Sequence, residues 1–437
     1  MNRVRLALLA ATTMLVATLT SAPAAVQATS ADTNPFGVQS RSASPALQQK
    51  IGSAWTVITM TWPEVEPVRG RFDFAKFDQL VEAQAAVGVQ SQFRLLTCAN
   101  DARGKPFWGT YPVPAGAELR EGHLCTEEVP RSQQAWSEFV FALVHHYRRA
   151  AHPVRHFAVA NEIVSPKQWP GVAGRQSCSM VSCPVFDDYL TTLRTAHKAA
   201  HAANPDVVIL DGGIGPVMGA VLARAKYEAG GKSDTALRAA VAFLNQWYVN
   251  EYPAGAPLEG KYVNPNQPVG PLRSQFTSLV YGPYNPPSQT STTGDRPYYI
   301  ATRSYLDPTA IDAIQMHFYD YPPYIVDLLA FMGAHTTPDK PVYCWECGMK
   351  WPVKNGQYYR FDPELVGKWV AQRARLGFAH GLDQHVWLPM TGSLPPADET
   401  SGDLPLVCVQ PQSPGVCSTD SNLSVAGVAY QRLIANR

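Results

Sequence analysis

The sequence predicts an α/β fold: a (β/α)8 TIM barrel with long disulfide-bearing loop insertions, built as one unit over residues 29–437. Three observations predict it. Apolar runs of strand length alternate with amphipathic helical stretches along the chain. Those runs are continuous rather than alternating, as in parallel strands covered on both faces. They number eight, and eight repeats favour a closed barrel over an open sheet.

Met1-Asn2-Arg3-Val4-Arg5 leads into an apolar run from Leu6 to Leu19 and then into small residues, with small-x-small cleavage sites after Ala24 or Ala28. This is the pattern of a secretory signal peptide over residues 1–28, and it is excluded from the fold. No later apolar run reaches membrane-spanning length, so a secreted, extracellular protein is expected. Removing Arg3 and Arg5 takes the formal charge from +1 to −1. With no basic field and no acidic tail, neither nucleic acid nor membrane is expected as a partner, and a monomer is expected. Low charge (16%) and 37 prolines fit a secreted chain with long ordered loops.

Phe36–Gln39 reads as the first strand, followed by a short helix from Ser44 to Ile51. Trp55–Thr61, rich in β-branched residues, is strand two. The turn Trp62-Pro63-Glu64-Val65-Glu66-Pro67-Val68-Arg69-Gly70 follows. Asp73 then suits the N-cap of a helix over Phe74–Ala86, whose Phe77, Leu80, Val81 and Ala85 share one face. Gly88 closes that helix, and Val89–Thr97 is strand three. After a loop bracketed by Cys98 and Cys125, an amphipathic helix spans Ser132–Ala150. Strand four is His156-Phe157-Ala158-Val159-Ala160-Asn161-Glu162. It is too short for a helix, follows Pro153, and breaks at Ser165-Pro166.

A helix from about Phe186 to Ala203 leads to strand five, Asp206–Leu210, and the turn Asp211-Gly212-Gly213. The next helix is Thr235–Val249. Residues 252–308, rich in Pro, Gly, Tyr and Asn, read as an ordered excursion near the site. Ile311–Phe318 is strand six, Pro341–Glu346 strand seven, Pro363–Leu376 a helix, and Asp383–Leu388 strand eight. The last helix is Leu423–Ala435.

Eight cysteines in an oxidising compartment suggest disulfides. Loop proximity pairs Cys178 with Cys183 and Cys408 with Cys417, and Cys98 with Cys125. Cys344 and Cys347 form a C-x-x-C. A zinc site would need a second ligand pair, which the chain lacks, and a redox site would need a helix start. In a strand, three residues span ~10 Å, beyond the ~7 Å reach of a disulfide, so Cys344–Cys347 is expected unbonded. No His/Cys/Asp cluster has ligand spacing, so no metal and no organic cofactor is implied.

Strand four ends at Asn161-Glu162, strand six at His317-Phe318-Tyr319, strand seven at Glu346 and strand eight at Trp387. In a barrel these C-terminal ends face one opening. Two carboxylates with an amide, a histidine, a tyrosine and an aromatic plate have the parts for glycoside hydrolysis. One carboxyl protonates the leaving oxygen, and the other attacks the sugar or activates water.

Across nearly the whole mature chain, these motifs together resemble the retaining (β/α)8 glycoside hydrolases of clan A. They are Trp62-Pro63-Glu64-Val65-Glu66-Pro67 with Gly70-Arg71-Phe72-Asp73-Phe74, Asn161-Glu162, His317-Phe318-Tyr319, Glu346-Cys347-Gly348 and Trp387. That clan includes cellulases, mannanases, xylanases, β-xylosidases and β-galactosidases. The resemblance implies an oligo- or polysaccharide substrate, Glu162 as acid/base and Glu346 as nucleophile. It further implies that Asn161 holds the sugar 2-hydroxyl, Tyr319 bonds the nucleophile, and Trp387 floors the subsite of the cleaved sugar. His317 is either a ligand contact or a satisfied rim histidine. Many clan members carry an arginine on strand two that supports the nucleophile; Trp55–Trp62 has none, so Arg94 substitutes or that support is absent. Its absence is the only ground for the alternative, a catalytically silent carbohydrate-binding barrel. Trp62, Glu64 and Glu66 read as turn and packing residues, and Asp211 as a turn former. Trp345 is expected to point away from the axis if Glu346 points in.

Overall fold

A computed structural model describes residues 34–39, 44–114, 125–165, 168–175, 178, 182–215, 218–251, 263–281, 295–303, 309–335, 340–354, 357–358, 362–388, 391–392, 401–403, 406–408 and 423–436. Eight parallel strands make the barrel. They are β1 (Phe36–Gln39), β2 (Trp55–Thr61), β3 (Gln90–Leu96), β4 (His156–Val159), β5 (Val208–Leu210), β6 (Ile314–Phe318), β7 (Val342–Cys347) and β8 (Leu382–Trp387). The hydrogen-bonded order runs β5-β4-β3-β2-β1-β8-β7-β6. The β5–β6 seam is closed by the parallel bridges Leu210↔Ala313 and Ile214↔Met316. Two aspartates supply further rungs there: Asp312 Oδ2 accepts from the Ile209 N–H and Asp211 Oδ1 from the Gln315 N–H, each at 2.8 Å.

The helices are α1 (Pro45–Ile51), α2 (Trp62–Val65), α3 (Ala75–Ala85), α4 (Gln133–Arg149), α5 (Pro184–Ala203), α6 (Met218–Ala229), α7 (Asp234–Glu251), α8 (Val269–Val280), α9 (Asp295–Arg303), α10 (Tyr324–Ala334), α11 (Pro363–Ala379) and α12 (Val425–Ala435). Local chemistry starts several of them. Asp73 accepts from the Ala75 N–H at the head of α3, Ser132 from Ala135 at α4, and Asp362 from Glu364 and Leu365 at α11. Thr61 and Glu64 close a capping box on α2, while Glu66 accepts from the Trp62 indole and the Gly70 N–H. Trp62, Glu64 and Glu66 are therefore packing and capping residues, and the expected turn begins with the short helix α2. Helices α2, α6, α8, α9 and α10 lie where the sequence suggested none.

Strand parity sorts side chains into two cores. Outward residues such as Phe93, Phe157, Ile209 and Met316 pack under the helices with Phe77, Trp136 and Leu193. Val57, Ala158, Leu210, Ala313, Trp345 and Val386 fill the barrel axis. Each large apolar side chain so buried contributes about 1.5–3 kcal/mol, before the entropy of ordering is subtracted.

β7 departs from the expected strand. Against β6, Met316 pairs with Cys344 and the next residue, His317, with Glu346; against β8, His385 pairs with Cys344 and Trp387 with Cys347. One extra residue therefore sits in β7 at Trp345, a β-bulge. The bulge corrects two expectations. Trp345 turns inward alongside Glu346, with its indole donating to Gln384 at 2.8 Å. Cys344 and Cys347 both face outward, their Cα atoms 5.6 Å apart, and are disulfide-bonded. The ~10 Å span assumed a regular strand, and the bulge shortens it within disulfide reach. Cys98–Cys125 and Cys178–Cys183 are bonded as expected. Of the expected Cys408–Cys417 pair, Cys417 lies outside the described residues.

Candidate active site

β4 regular pairing stops at Val159, three residues earlier than expected, and the chain turns sharply. Ala160 (φ 69°) and Glu162 (φ 44°) both adopt left-handed backbone, which costs side-chain-bearing residues about 1–3 kcal/mol each. Five bonds hold the turn. Ala160 N–H donates to the Leu95 carbonyl and Glu162 N–H to the Gly212 carbonyl, both at 2.8 Å. Asn161 N–H donates to Glu127 Oε1 at 2.9 Å. The Tyr189 hydroxyl donates to the Val159 carbonyl and accepts from the Gly212 N–H. The result aims Glu162 across the barrel mouth. Gly215 leaves room for it, since a Cβ there would lie 2.8 Å from the Glu162 carboxyl.

Glu162 and Glu346 are each only 5% exposed. His317 stands between them, with Nδ1 3.1 Å from Glu162 Oε1 and 3.3 Å from Glu346 Oε2. The Gln315 amide nitrogen faces His317 Nε2 at 2.7 Å. The three ligand-type atoms of Glu162, His317 and Glu346 lie within 4.8 Å of one another.

Arg94 Nη1 donates to Glu346 Oε1 at 2.5 Å, and the Tyr319 hydroxyl donates to Oε2 at 2.7 Å. Arg94 sits on β3, so the basic partner of Glu346 comes from strand three. Gln39, at the end of β1, links this pair to the bulge. With its amide turned to satisfy both ends, its nitrogen donates to the Trp345 carbonyl at 3.0 Å and its oxygen accepts from Arg94 Nη1 at 2.9 Å. Burial would raise the Glu346 carboxyl, and the neighbouring Glu162 also raises it. The charges on His317 and Arg94 and the Tyr319 hydroxyl outweigh both and hold it below its ordinary value.

On the other side, Gln168 Nε2 donates to Glu162 Oε2 at 2.5 Å, and Gln168 Oε1 accepts from the Asn161 amide at 2.6 Å. Asn161 Oδ1 is a buried acceptor without a hydrogen-bond partner among the described residues. Beneath it, burial pushes the Glu127 carboxyl up to about 8, against the opposing backbone hydrogen bonds from Asn161 and Thr97 and the charge of Arg94.

Of the six residues singled out from the sequence, the structure therefore gathers Glu162, Glu346, Asn161, His317 and Tyr319. Trp387 is not among them. β8 pairs regularly with β1, so Trp387 shares the outward face of β8 with His385. It is fully buried against Phe36, Val38, Trp369 and Tyr430. A subsite floor has to be inward-facing, and the parity of β8 turns Trp387 the other way. Asp211, expected to be a turn former, bonds the seam; burial raises its carboxyl to about 7.

Gln39, Glu127 and Gln168 were missed. A glutamine closing an apolar strand was a faint signal for Gln39. Glu127 and Gln168 sit in loops without periodicity and gave none. Two groups among the described residues could hold a metal: Glu162, His317 and Glu346, and separately His197, His201 and Asp312. In the first, the Arg94 guanidinium already lies against Glu346, and its charge opposes a divalent cation there.

No family model matches the sequence, and no curated protein matches it. Solved structures do. GH5_18 from Streptomyces cattleya, solved in complex with GlcNAc, aligns with a TM-score of 0.51 at 12% identity over 92% of this chain and 80% of that one. Xylanase 10B from Thermotoga maritima aligns at 0.46 and 12% identity over 93% and 96%. A family 39 glycoside hydrolase from Bacteroides cellulosilyticus WH2 aligns at 0.47 and 13% identity over 92% of this chain, which spans 64% of that protein's length. These neighbours are clan A glycoside hydrolases. At such identities the S. cattleya match shows the fold: this chain is a (β/α)8 barrel of the kind glycoside hydrolases use.

Proposed function

We propose that the protein is a secreted retaining glycoside hydrolase acting on β-linked sugars. The observation that carries the proposal is the pairing of Glu162 and Glu346, with carboxylate oxygens within 4.8 Å across a shared imidazole. Retaining enzymes hold their carboxyl groups about 5–5.5 Å apart, whereas inverting ones leave ~6.5–9.5 Å for a water. Glu346, kept ionised by Arg94 and Tyr319, attacks the anomeric carbon while Glu162 gives its proton to the leaving oxygen. The glycosidic bond breaks and a glycosyl ester forms on Glu346. Glu162, now ionised, takes a proton from water, whose oxygen attacks the same carbon and releases Glu346. Two inversions restore the β configuration. Asn161, next to Glu162 and bonded through its amide to Gln168, is assigned to hold the sugar 2-hydroxyl.

Arg94 on Glu346 removes the only ground for a catalytically silent barrel. Residues 1–28 are proposed as the signal peptide and 29–437 as one catalytic unit acting as a monomer; three disulfides are compatible with export. Among the described residues no helix is long and apolar enough to cross a membrane.

Proton NMR of the first-formed product is expected to show the β-anomer before mutarotation. A 2-fluoro sugar with a good leaving group is expected to label Glu346 and not Glu162. An α-anomer as first product, or label on Glu162, overturns the assignment.

A further inference from the structure

Helix α5 carries His197 and His201 four residues apart, so both imidazoles leave the same helix face. That face meets Asp312, just ahead of β6 at the N-terminal end of the barrel, the end opposite Glu162 and Glu346. His197 Nε2 lies 3.1 Å from Asp312 Oδ1 and His201 Nε2 2.9 Å from Oδ2, with the two rings 4.3 Å apart at their centroids. The three side chains retain 20–30% of their solvent exposure.

We propose that His197, His201 and Asp312 form a site for a divalent transition-metal ion of the zinc class, which fastens α5 to the β5–β6 seam. Two imidazole nitrogens and one carboxylate oxygen are a donor set suited to such an ion, with water completing the coordination. The spacing fits. Ligands at ~2.0–2.1 Å from a tetrahedral ion stand roughly 3.3 Å from one another, and the two His–Asp separations reach that with small ring rotations. The carboxylate is already oriented by the Ile209 N–H on Oδ2, the outer support that metal-binding carboxylates need. Partial exposure gives the ion a way in. On binding, the Nε2 proton that each imidazole shares with Asp312 passes to water, the freed lone pair goes to the ion, and the ring carries its proton on Nδ1. The N-terminal face of a (β/α)8 barrel serves stability rather than chemistry, so the ion is structural and independent of the glycosidase proposal.

The test uses the full mature protein and zinc alone. Crystals soaked in zinc are expected to show an anomalous peak among the three side chains, ~2.0–2.2 Å from their donor atoms. Isothermal titration is expected to find one equivalent bound, weakened by about 100-fold or more in His197→Gln and in His201→Gln, beyond what losing an outer-shell partner costs. Hydrolysis without added zinc is expected to be unchanged in both variants. No peak at this position, a peak at Glu162, His317 and Glu346 alone, or wild-type affinity in both variants would overturn the proposal and leave the histidines as ion-pair partners of Asp312. If a variant does not fold, diffraction from the wild-type protein decides alone.

Discussion

The ionised state of Glu346 depends on Arg94, a charge buried on the inner face of β3. If Arg94→Met removes it, the Glu346 carboxyl should titrate higher than in the wild type. The acid limb of kcat/KM should then move up in pH, and Arg94→Lys should restore part of the shift. A pH–rate profile with an unmoved acid limb would exclude this role. The two carboxylates should also separate by leaving group. Glu346→Ala should abolish turnover of every substrate. Glu162→Ala should spare the first step for activated aryl glycosides, which need no proton, and fail on poor leaving groups. Equal losses for both classes in both variants would refute the separate roles. Glu127 carries a different pH signature. Its folded-state value of about 8 lies above the ordinary 4.5. The unfolded chain therefore gives up this proton first as pH rises. Its contribution to stability is complete below 4.5 and is lost as pH climbs through about 8. Glu127→Gln should flatten the pH dependence of the denaturation midpoint across that window.

Among the elements, β7 shows how far alternation could be read. Its place, its apolar character and its terminal glutamate were legible, because a buried parallel strand ends in polar residues only where it opens on the site. The bulge was not. It arises from pairing with β6 and β8, and nothing within Val342–Cys347 announces it. The same limit hid Trp387, whose side is set by the register of β8 on β1. Arg94 was visible as a charge inside an apolar strand, whereas Gln168 and Glu127 belong to loops, where spacing carries no geometric meaning. Helix α10 escaped because Tyr-Ile-Val-Asp-Leu-Leu-Ala-Phe-Met is apolar almost all round and shows no amphipathic period. The disulfides should part stability from activity. Loop length gives roughly 3.5 kcal/mol for Cys98–Cys125 and about 2 kcal/mol for Cys344–Cys347. Replacing Cys98 and Cys125 by serine should lower the melting temperature more. Replacing Cys344 and Cys347 should lower kcat more, because it loosens the bulge that turns Glu346 inward. Melting curves and kinetics of the two double variants would show the reverse order if β7 holds its shape unaided.

At the scale of the molecule, the barrel is joined all round by strand ladders except between β5 and β6, where two aspartate side chains do part of the work of backbone pairing. Asp211→Ala leaves the buried Gln315 N–H without its acceptor, at a cost of about 1–3 kcal/mol. Amide exchange should then rise first at Gln315 and its neighbours on β6; uniform acceleration over all eight strands would show that the seam does not open separately.

The extra residue at Trp345 also changes how this chain should be laid beside distant barrels. Up to Cys344 its seventh strand keeps step with an unbulged one; from Glu346 onward it is one place late. A gapless alignment of the two would put Trp345 opposite the other strand's inward carboxylate and Glu346 opposite a residue that faces the helices. The correct correspondence carries a single gap inside the strand, where alignment methods are least willing to open one.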